Sequence, residues 1–253
     1  MKIVVLGSGT SVPHKARNSA GFWVATDELR LLLDCGPGTL HTFPRYRLDW
    51  TDITHIYLSH FHLDHIGELP PLLFALKHGP GVERRTTPLE LIGPVGTRRL
   101  LTDWEAALGY ELLALAFPLN IVEVEPGRRY ALADGHWLRV YPTPHTEESL
   151  ALRLEWRGLS VCYTGDTAYA EDLARFFYRA DLLIAECSFR RPRTDVKHLS
   201  IPEVAELARR AQVSRLLITH LYPELDGVDV KAEVQQLFPG DIIIAYDGLS
   251  LEM

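Results

Sequence analysis

Short apolar runs punctuate this chain. "KIVVLG" (2–7), "LRLLLD" (29–34), "ITHIYL" (53–58), "LELIG" (89–93), "WLRVYP" (137–142), "LALRLEW" (150–156), "LSVCYTG" (159–165), "ADLLIAE" (180–186), "RLLIT" (215–219) and "DIIIAY" (241–246) are each five to seven residues long. Most are rich in Val, Ile and Leu and too short for a typical helix, so they predict strands. Between them lie stretches of a different period. "AYAEDLARFFYRA" (168–180), "IPEVAELARRA" (201–211) and "DVKAEVQQLF" (229–238) repeat apolar residues every three to four positions with charges between. That spacing predicts amphipathic helices. "GPVGTRRLLTDWEAALG" (93–109) predicts another, with Gly109 as its stop. Strands interleaved with helices give an α/β protein whose sheets are covered by helices.

Several strands end in a polar or glycine-bearing corner: Gly7-Ser8-Gly9, Asp34-Cys35-Gly36, Ser59-His60, Pro144-His145, Gly165-Asp166, Glu186 and Thr219-His220. Loops held by a rigid sheet are where binding and catalytic groups concentrate. Gly7 and Gly9 predict a tight turn rather than a dinucleotide fingerprint, because the third glycine and the following helix are missing.

Composition narrows the function. The 253 residues are 47% hydrophobic and 23% charged, as in ordinary globular proteins, with a net charge of −7. An acidic chain excludes wrapping of duplex nucleic acid and leaves any nucleic-acid contact to a local patch. The three cysteines, Cys35, Cys162 and Cys187, are scattered and odd in number. This disfavours a disulfide framework and a cysteine zinc knuckle and fits a reducing compartment. The apolar start before Gly7 is too short for a signal-peptide core, and no run reaches transmembrane length. A cytoplasmic protein without a membrane partner is the expectation.

The chemistry concentrates in "LSHFHLDHIGELP" (58–70), where His60, His62, Asp64 and His65 occupy six positions after an apolar strand. His60 and His62, two apart in a bending loop, converge on one ion. Asp64 and His65 follow a further bend and suit a second. Imidazole nitrogen and carboxylate oxygen are zinc ligands at roughly 2.0–2.2 Å. Strand-end residues downstream complete both sets: His60, His62 and His145 for one ion, Asp64, His65 and His220 for the other, and Asp166 as a bridge. A bridging carboxylate suits two ions about 3.5–4 Å apart. A helix beginning near Gly67 is expected to cover the cluster.

The order of "HFHLDH", a later histidine, "GDT" and a last "TH" resembles the metallo-β-lactamase superfamily. The resemblance runs over essentially the whole chain, 1–253, as one hydrolase domain. It implies a four-layer αβ/βα sandwich, two facing mixed sheets with helices outside, and a binuclear zinc site at one edge. Aspartate at position 166 replaces the cysteine ligand of the β-lactamases, and His62 replaces the glutamate of the flavodiiron branch. Histidine there favours zinc and hydrolysis, although His and Asp ligands also accept manganese and iron. "VVLGSGTSVPHKARNSAGFWV", "LLLDCGPGT", "LELIGPVGTRRLL", "IAECSF" and "KHLSIPEVAELARRAQVSRLLITHLYP" are similar to segments of ribonuclease Z and its relatives. Matched residue by residue, that similarity implies Glu186 and His198 as catalytic assistants. Ribonuclease Z carries a long tRNA-gripping arm between the third metal motif and the bridging aspartate. Only twenty residues separate His145 from Asp166, and they read as two strands and a turn. The chain therefore resembles the armless, phosphodiesterase-like relatives.

The implied reaction is hydrolysis of a phosphodiester by a hydroxide shared between the metals, oriented by Asp64. His198 is the candidate general acid, oriented by Glu186, because the pKa of histidine lies near working pH. Both also fit the approach to a helix capped by Ser200 with Glu203 three residues on, and the two roles are compatible. Asp34 is either a partner that orients a ligating imidazole or a turn residue before Gly36. Arg17 and Asn18 match a pair in the resembled family and are candidates beside the substrate. Arg190 and Arg191, with Arg193 and Lys197 in "FRRPRTDVK", form a local basic loop suited to substrate phosphate or simply to solvent. Substrates consistent with these features are a small phosphodiester or RNA. A carboxylic ester, thioester or lactone on the same metal core is the alternative, and a non-catalytic zinc-binding protein the alternative of another class. "LPPLLFALKH" (69–78) reads as a core helix or as a homodimer contact.

Overall fold

The computed structural model describes residues 1–253. In chain order the elements are β1 (Lys2–Gly7), β2 (Gly21–Ala25), β3 (Arg30–Leu33), α1 (Thr39–Arg45), β4 (His55–Tyr57), α2 (Leu63–Ile66), α3 (Leu69–His78), β5 (Leu89–Gly93), α4 (Thr97–Leu108), β6 (Leu119–Glu123), β7 (Arg129–Ala131), β8 (His136–Pro142), β9 (Leu150–Trp156), β10 (Leu159–Tyr163), α5 (Glu171–Phe176), β11 (Leu182–Glu186), α6 (Ile201–Ala211), β12 (Arg215–Thr219), α7 (Val230–Gln235), β13 (Asp241–Ile244) and β14 (Ser250–Glu252). They build two seven-stranded sheets, ordered β14-β1-β2-β3-β4-β5-β6 and β13-β12-β11-β10-β9-β8-β7. Each sheet is antiparallel at one end and parallel at the other, the parallel parts being β3 to β6 and β10 to β13.

The buried apolar residues fall into three groups, and that number fixes the layering. One group, including Leu31, Leu33, Leu152, Val161 and Ile184, lies between the sheets. A second, including Ile56, Leu69, Leu73 and Leu101, fills the space between the first sheet and α3 and α4. A third, including Leu183, Val204, Leu207 and Ile218, lies between the second sheet and α5, α6 and α7. Three interfaces make four layers, so the expected αβ/βα sandwich is the observed fold. Alternation along the strands accounts for it. In β3, Leu31 and Leu33 face the other sheet while Leu32 faces the helices.

The ten expected strands are all present. Four more are β2, whose apolar run Phe22–Ala25 was not among those read as strands, and β6, β7 and β14, which no continuous apolar run signals. Gly109 ends α4 in the left-handed conformation, as its place in the sequence predicted. The helix expected to begin near Gly67 is α3, which starts at Leu69, and a single turn, α2, precedes it. Gly67 ends α2, and a Cβ there would lie 2.5 Å from Leu63 O and 3.1 Å from Pro37 Cγ. At Gly7 and Gly9 the expected tight turn is instead a close approach of two backbones. Cβ atoms there would lie 1.7 Å from Ser19 O and 2.9 Å from Arg17 Cβ. α3 turns Leu69, Leu72, Leu73 and Leu76 into the core and leaves Phe74 half exposed. The segment between His145 and Asp166 is the hairpin of β9 and β10, turning at Arg157 and Gly158, both at positive φ. No helix is long and apolar enough to cross a membrane.

Candidate metal centre

Seven of the singled-out residues meet at one edge of the sandwich, where the strands of both sheets end. His60 and His62 follow β4. His145 follows β8, Asp166 follows β10, and His220 follows β12. Asp64 and His65, expected beyond a bend, lie in the single turn of α2, which aims both side chains at the cluster. Two groups of potential ligand atoms each fall within a 4.8 Å span: His60, His62, His145 and Asp166, and Asp64, His65, Asp166 and His220. Asp166 belongs to both. Its Oδ1 lies 3.2 Å from His65 Nε2 and 3.4 Å from His220 Nε2, and its Oδ2 lies 3.7 Å from both His60 Nε2 and His145 Nε2.

Outer hydrogen bonds fix which ring nitrogen faces inward. The Oγ of Ser59 donates to Asp34 at 2.8 Å and so accepts from His60 Nδ1 at 3.0 Å. His65 Nδ1 donates to Asp34 at 2.7 Å, and His145 Nδ1 to the carbonyl of Lys197 at 2.9 Å. Ser188 Oγ donates to Glu186 at 2.8 Å and accepts from His220 Nδ1 at 3.0 Å. Each of these four imidazoles therefore spends its proton outward and turns its Nε2 lone pair to the centre, where that of His145 meets His62 Nδ1 at 3.0 Å. The Nε2 atoms of His60, His65 and His220 and Oδ1 of Asp166 are buried and have no hydrogen-bond partner. Buried polar atoms without partners are rare and costly. Lone pairs converging in a dry site are what a divalent cation satisfies, and the nitrogen and oxygen donors suit one of borderline hardness.

Electrostatics agree at Asp166, Asp64 and His60, whereas at His65 burial is overridden by the carboxylates of Asp166 and Asp34, which raise the imidazole well above its ordinary value. Burial opposes ionisation of Asp166, but the imidazoles of His220, His65 and His60 override it and hold the carboxyl well below the usual range. Asp64 is likewise held low, against burial, by its contacts with His220 and His65. Burial, joined by the neighbouring rings of His65, His145 and His62, drives His60 well down and keeps it neutral. A neutral imidazole is the ligating form.

Asp34 lies directly behind the cluster. Its buried carboxylate accepts from Ser59 N at 2.7 Å, Ser59 Oγ at 2.8 Å, His65 Nδ1 at 2.7 Å and Tyr163 Oη at 2.7 Å. Its φ is +56°, and His220 has φ +55°. Left-handed backbone is unfavourable for residues with a side chain and persists where the surroundings hold it. The contact with His65 Nδ1 is the one that the imidazole-orienting reading of Asp34 requires.

Beside the second group, His198 Nδ1 donates to Glu186 Oε1 at 2.9 Å. Burial would lower His198, but the hydrogen bond and charge of Glu186, with Asp166 adding to them, raise it above its ordinary value. Glu186 is itself pinned by the N–H groups of Thr167 at 2.7 Å and Leu199 at 3.2 Å. The capping box beyond is present too, with Ser200 N donating to Glu203 at 2.9 Å. The His198 ring stacks on His220 with centroids 5.3 Å apart, and Phe189 and Tyr222 enclose it at 6.2 and 6.1 Å.

The substrate-binding candidates are not gathered in this way. Arg17 donates to Ser8 Oγ at 2.9 Å and to the Ala245 carbonyl at 2.8 Å, and Asn18 N donates to Asp247 at 2.7 Å. Arg190 pairs with Glu233 at 2.7 Å and Arg193 with Asp195 at 2.7 Å, while Arg191 is exposed. The sequence reading assigned no site role to Tyr163, Ser59, Ser188 or Asp247, each of which has at least one partner 25 or more residues away. The only sequence signal for Ser59 and Ser188 is proximity, next to His60 and two residues from Glu186.

The family model described as "Beta-lactamase superfamily domain" matches residues 29–221. The chain belongs to this superfamily. The curated ribonuclease Z of Thermoplasma acidophilum is 26% identical over 303 aligned positions, covering 98% of this chain and 96% of that protein. That length exceeds the 253 residues here, so this superfamily member lacks segments its relative carries. The metallo-beta-lactamase fold protein YhfI from Bacillus subtilis superposes with a TM-score of 0.85 at 25% identity, covering 100% of this chain and 99% of that one. Human tRNase Z, short form, superposes with a TM-score of 0.79 at 22% identity over 100% and 99%. The latter likeness is one of fold.

Proposed function

We propose that this superfamily member is a metal-dependent phosphodiesterase with a binuclear zinc site, its single hydrolase domain comprising residues 1–253. The observation that carries the reading is the placement of a proton donor, His198 on Glu186, beside two ligand groups that share Asp166. The curated ribonuclease Z relative supports the phosphodiester class.

His60, His62, His145 and Asp166 would hold one ion, and Asp64, His65, Asp166 and His220 the other. When bound, such ions lower the pKa of water and polarise a phosphoryl oxygen. The residues do the rest. Asp64 ionises readily and carries an oxygen that orients the attacking water. Asp34 keeps the lone pair of His65 inward. The leaving oxygen departs with the proton of His198, whose opposite nitrogen stays bonded to Glu186. With Arg190 and Arg193 neutralised by Glu233 and Asp195, Arg191 is the guanidinium of that loop left for substrate phosphate. Arg17 and Asn18 act at one remove, by tying the loop after β1 to the Ala245 carbonyl and to Asp247.

Small diesters and RNA both fall within this class. Work in the cytoplasm fits the free, buried cysteines. The outward side of α3 at Phe74 is the surface proposed for a homodimer, which light scattering tests. The decisive assay is bis-p-nitrophenyl phosphate against a lactone and a thioester, with zinc or manganese supplied. Turnover of the phosphodiester alone supports the reading. Turnover confined to the carbon esters overturns it.

A further inference from the structure

A cavity of about 540 Å³ opens beside the cluster. Its wall includes Phe61, the residue between His60 and His62, and Pro142, three residues before His145. It continues over Pro94, Val95, Val124, Pro126 and Leu150, and the remaining lining residues are Glu125, Glu147 and Glu148. No lysine or arginine lines it. Val95 is 59% exposed, an apolar side chain turned to solvent at the mouth of the site. Glu148 accepts from the N–H of Phe61 at 3.4 Å, which ties this wall to the loop that carries the histidines.

These features match nothing that a phosphate would seek. An anion entering would meet three carboxylates, of which only Glu125 has a counter-charge, Arg128 at 3.8 Å, and like charges repel. A flat, uncharged group would meet a phenyl ring, three prolines and two valines, the mostly apolar lining typical of small-molecule sites. His198 is not part of this wall. It lies with Phe189 and Tyr222, so the group that departs with its proton lies there, and the group in the cavity stays on phosphorus.

Taking the phosphodiesterase reading as its base, we propose that the cavity seats the retained substituent of the substrate. This substituent is an uncharged aryl or nucleoside group that carries no further phosphate. Substrates are thereby limited, on that side, to small diesters or to chain ends. The reaction is P–O cleavage by water. The phosphoryl group keeps the substituent in the cavity and gains one oxygen from water, and the other alcohol leaves with a proton.

The test uses three diesters with one leaving group: p-nitrophenyl phenyl phosphate, the p-nitrophenyl ester of thymidine 5′-phosphate, and the same ester bearing a 3′-phosphate. The metal-loaded protein should turn over the first two with kcat/KM at least about tenfold above the third. Glu147→Lys, at an exposed position, should narrow that gap several-fold, mainly through KM of the phosphate-bearing ester. Val95→Asp should weaken the phenyl ester and widen the penalty on the third. Competitive inhibition by phenyl phosphate should weaken in Val95→Asp, which reads occupancy of the cavity apart from turnover. Equal kcat/KM for all three esters, or a gap that neither variant moves, overturns the proposal alone. Failure to hydrolyse any of the three removes the phosphodiesterase reading, and the proposal with it.

Discussion

The His198 imidazole is bonded through Nδ1 to Glu186 at 2.9 Å, and Glu186 is held in turn by backbone N–H groups of Thr167 and Leu199. A general acid must be protonated to act. Because Glu186 raises His198, the acid form persists above the ordinary histidine range, and activity should fall only as pH rises through that raised value. Glu186→Gln removes the raising charge, so the alkaline limb of the kcat profile should move to lower pH. His198→Ala should keep its metal and lose about 10²–10⁴-fold in kcat. An unmoved limb in the glutamine variant would show that another group sets it.

The buried carboxylate of Asp34 collects four hydrogen bonds. Asp34→Asn returns a donor where an acceptor is needed and should weaken metal binding about 10–100-fold, the usual range for partners behind a ligating histidine. Tyr163→Phe removes one of the four donors and should cost about 1–2 kcal/mol in urea unfolding. Competition with a chromophoric chelator measures the first and denaturation the second. Wild-type affinity in Asp34→Asn would mean that His65 orients itself.

Asp166 faces one ligand group with each carboxylate oxygen, so its loss should be felt by both. Metal analysis of Asp166→Ala should show both ions depleted, whereas His62→Ala should lose only the first. Chelation of the wild type should lower Tm by several degrees, because it leaves the inward lone pairs of His60, His65 and His220 without a partner. Identical metal content in the two variants would contradict the sharing.

His55 titrates far from the cluster in role. Burial first, then repulsion from His136, depresses it to about 4. Its unfolded value is about 6.5, so between these values the unfolded chain binds the extra proton. The stability from a neutral, buried His55 is thus complete above about pH 6.5 and is lost as pH falls toward 4, by up to about 3 kcal/mol. Urea unfolding at pH 7 and pH 5 should show a smaller loss for His55→Gln than for the wild type. Equal losses would assign the acid sensitivity elsewhere.

Much of this centre is legible in the sequence because its ligands follow apolar strands directly and keep short spacings. The same holds for the buried strands, whose runs of Leu, Ile and Val announce them. Three of the four strands missing from that reading, β6, β7 and β14, lie at or near sheet edges with mostly exposed or half-exposed residues. Without two buried faces they have no apolar run to show. Tyr163 and Asp34 are 129 residues apart, and Ser8 and Asp247 are 239 apart. No local period encodes such pairings, which exist only once the sheets face each other. The single turn of α2 was not signalled for a related reason, since the crowding at Gly67, where it ends, includes Pro37, a residue from another loop.

Each ligand group draws two donors from the first sheet's side and two from the second: His60 and His62 with His145 and Asp166, Asp64 and His65 with Asp166 and His220. Neither half of the molecule can assemble a four-donor set alone. Cation capture is therefore a logical conjunction, true only when both halves have matured and docked. A partly folded chain stays inert, and the onset of tight metal binding during refolding marks the moment the two sheets close on each other.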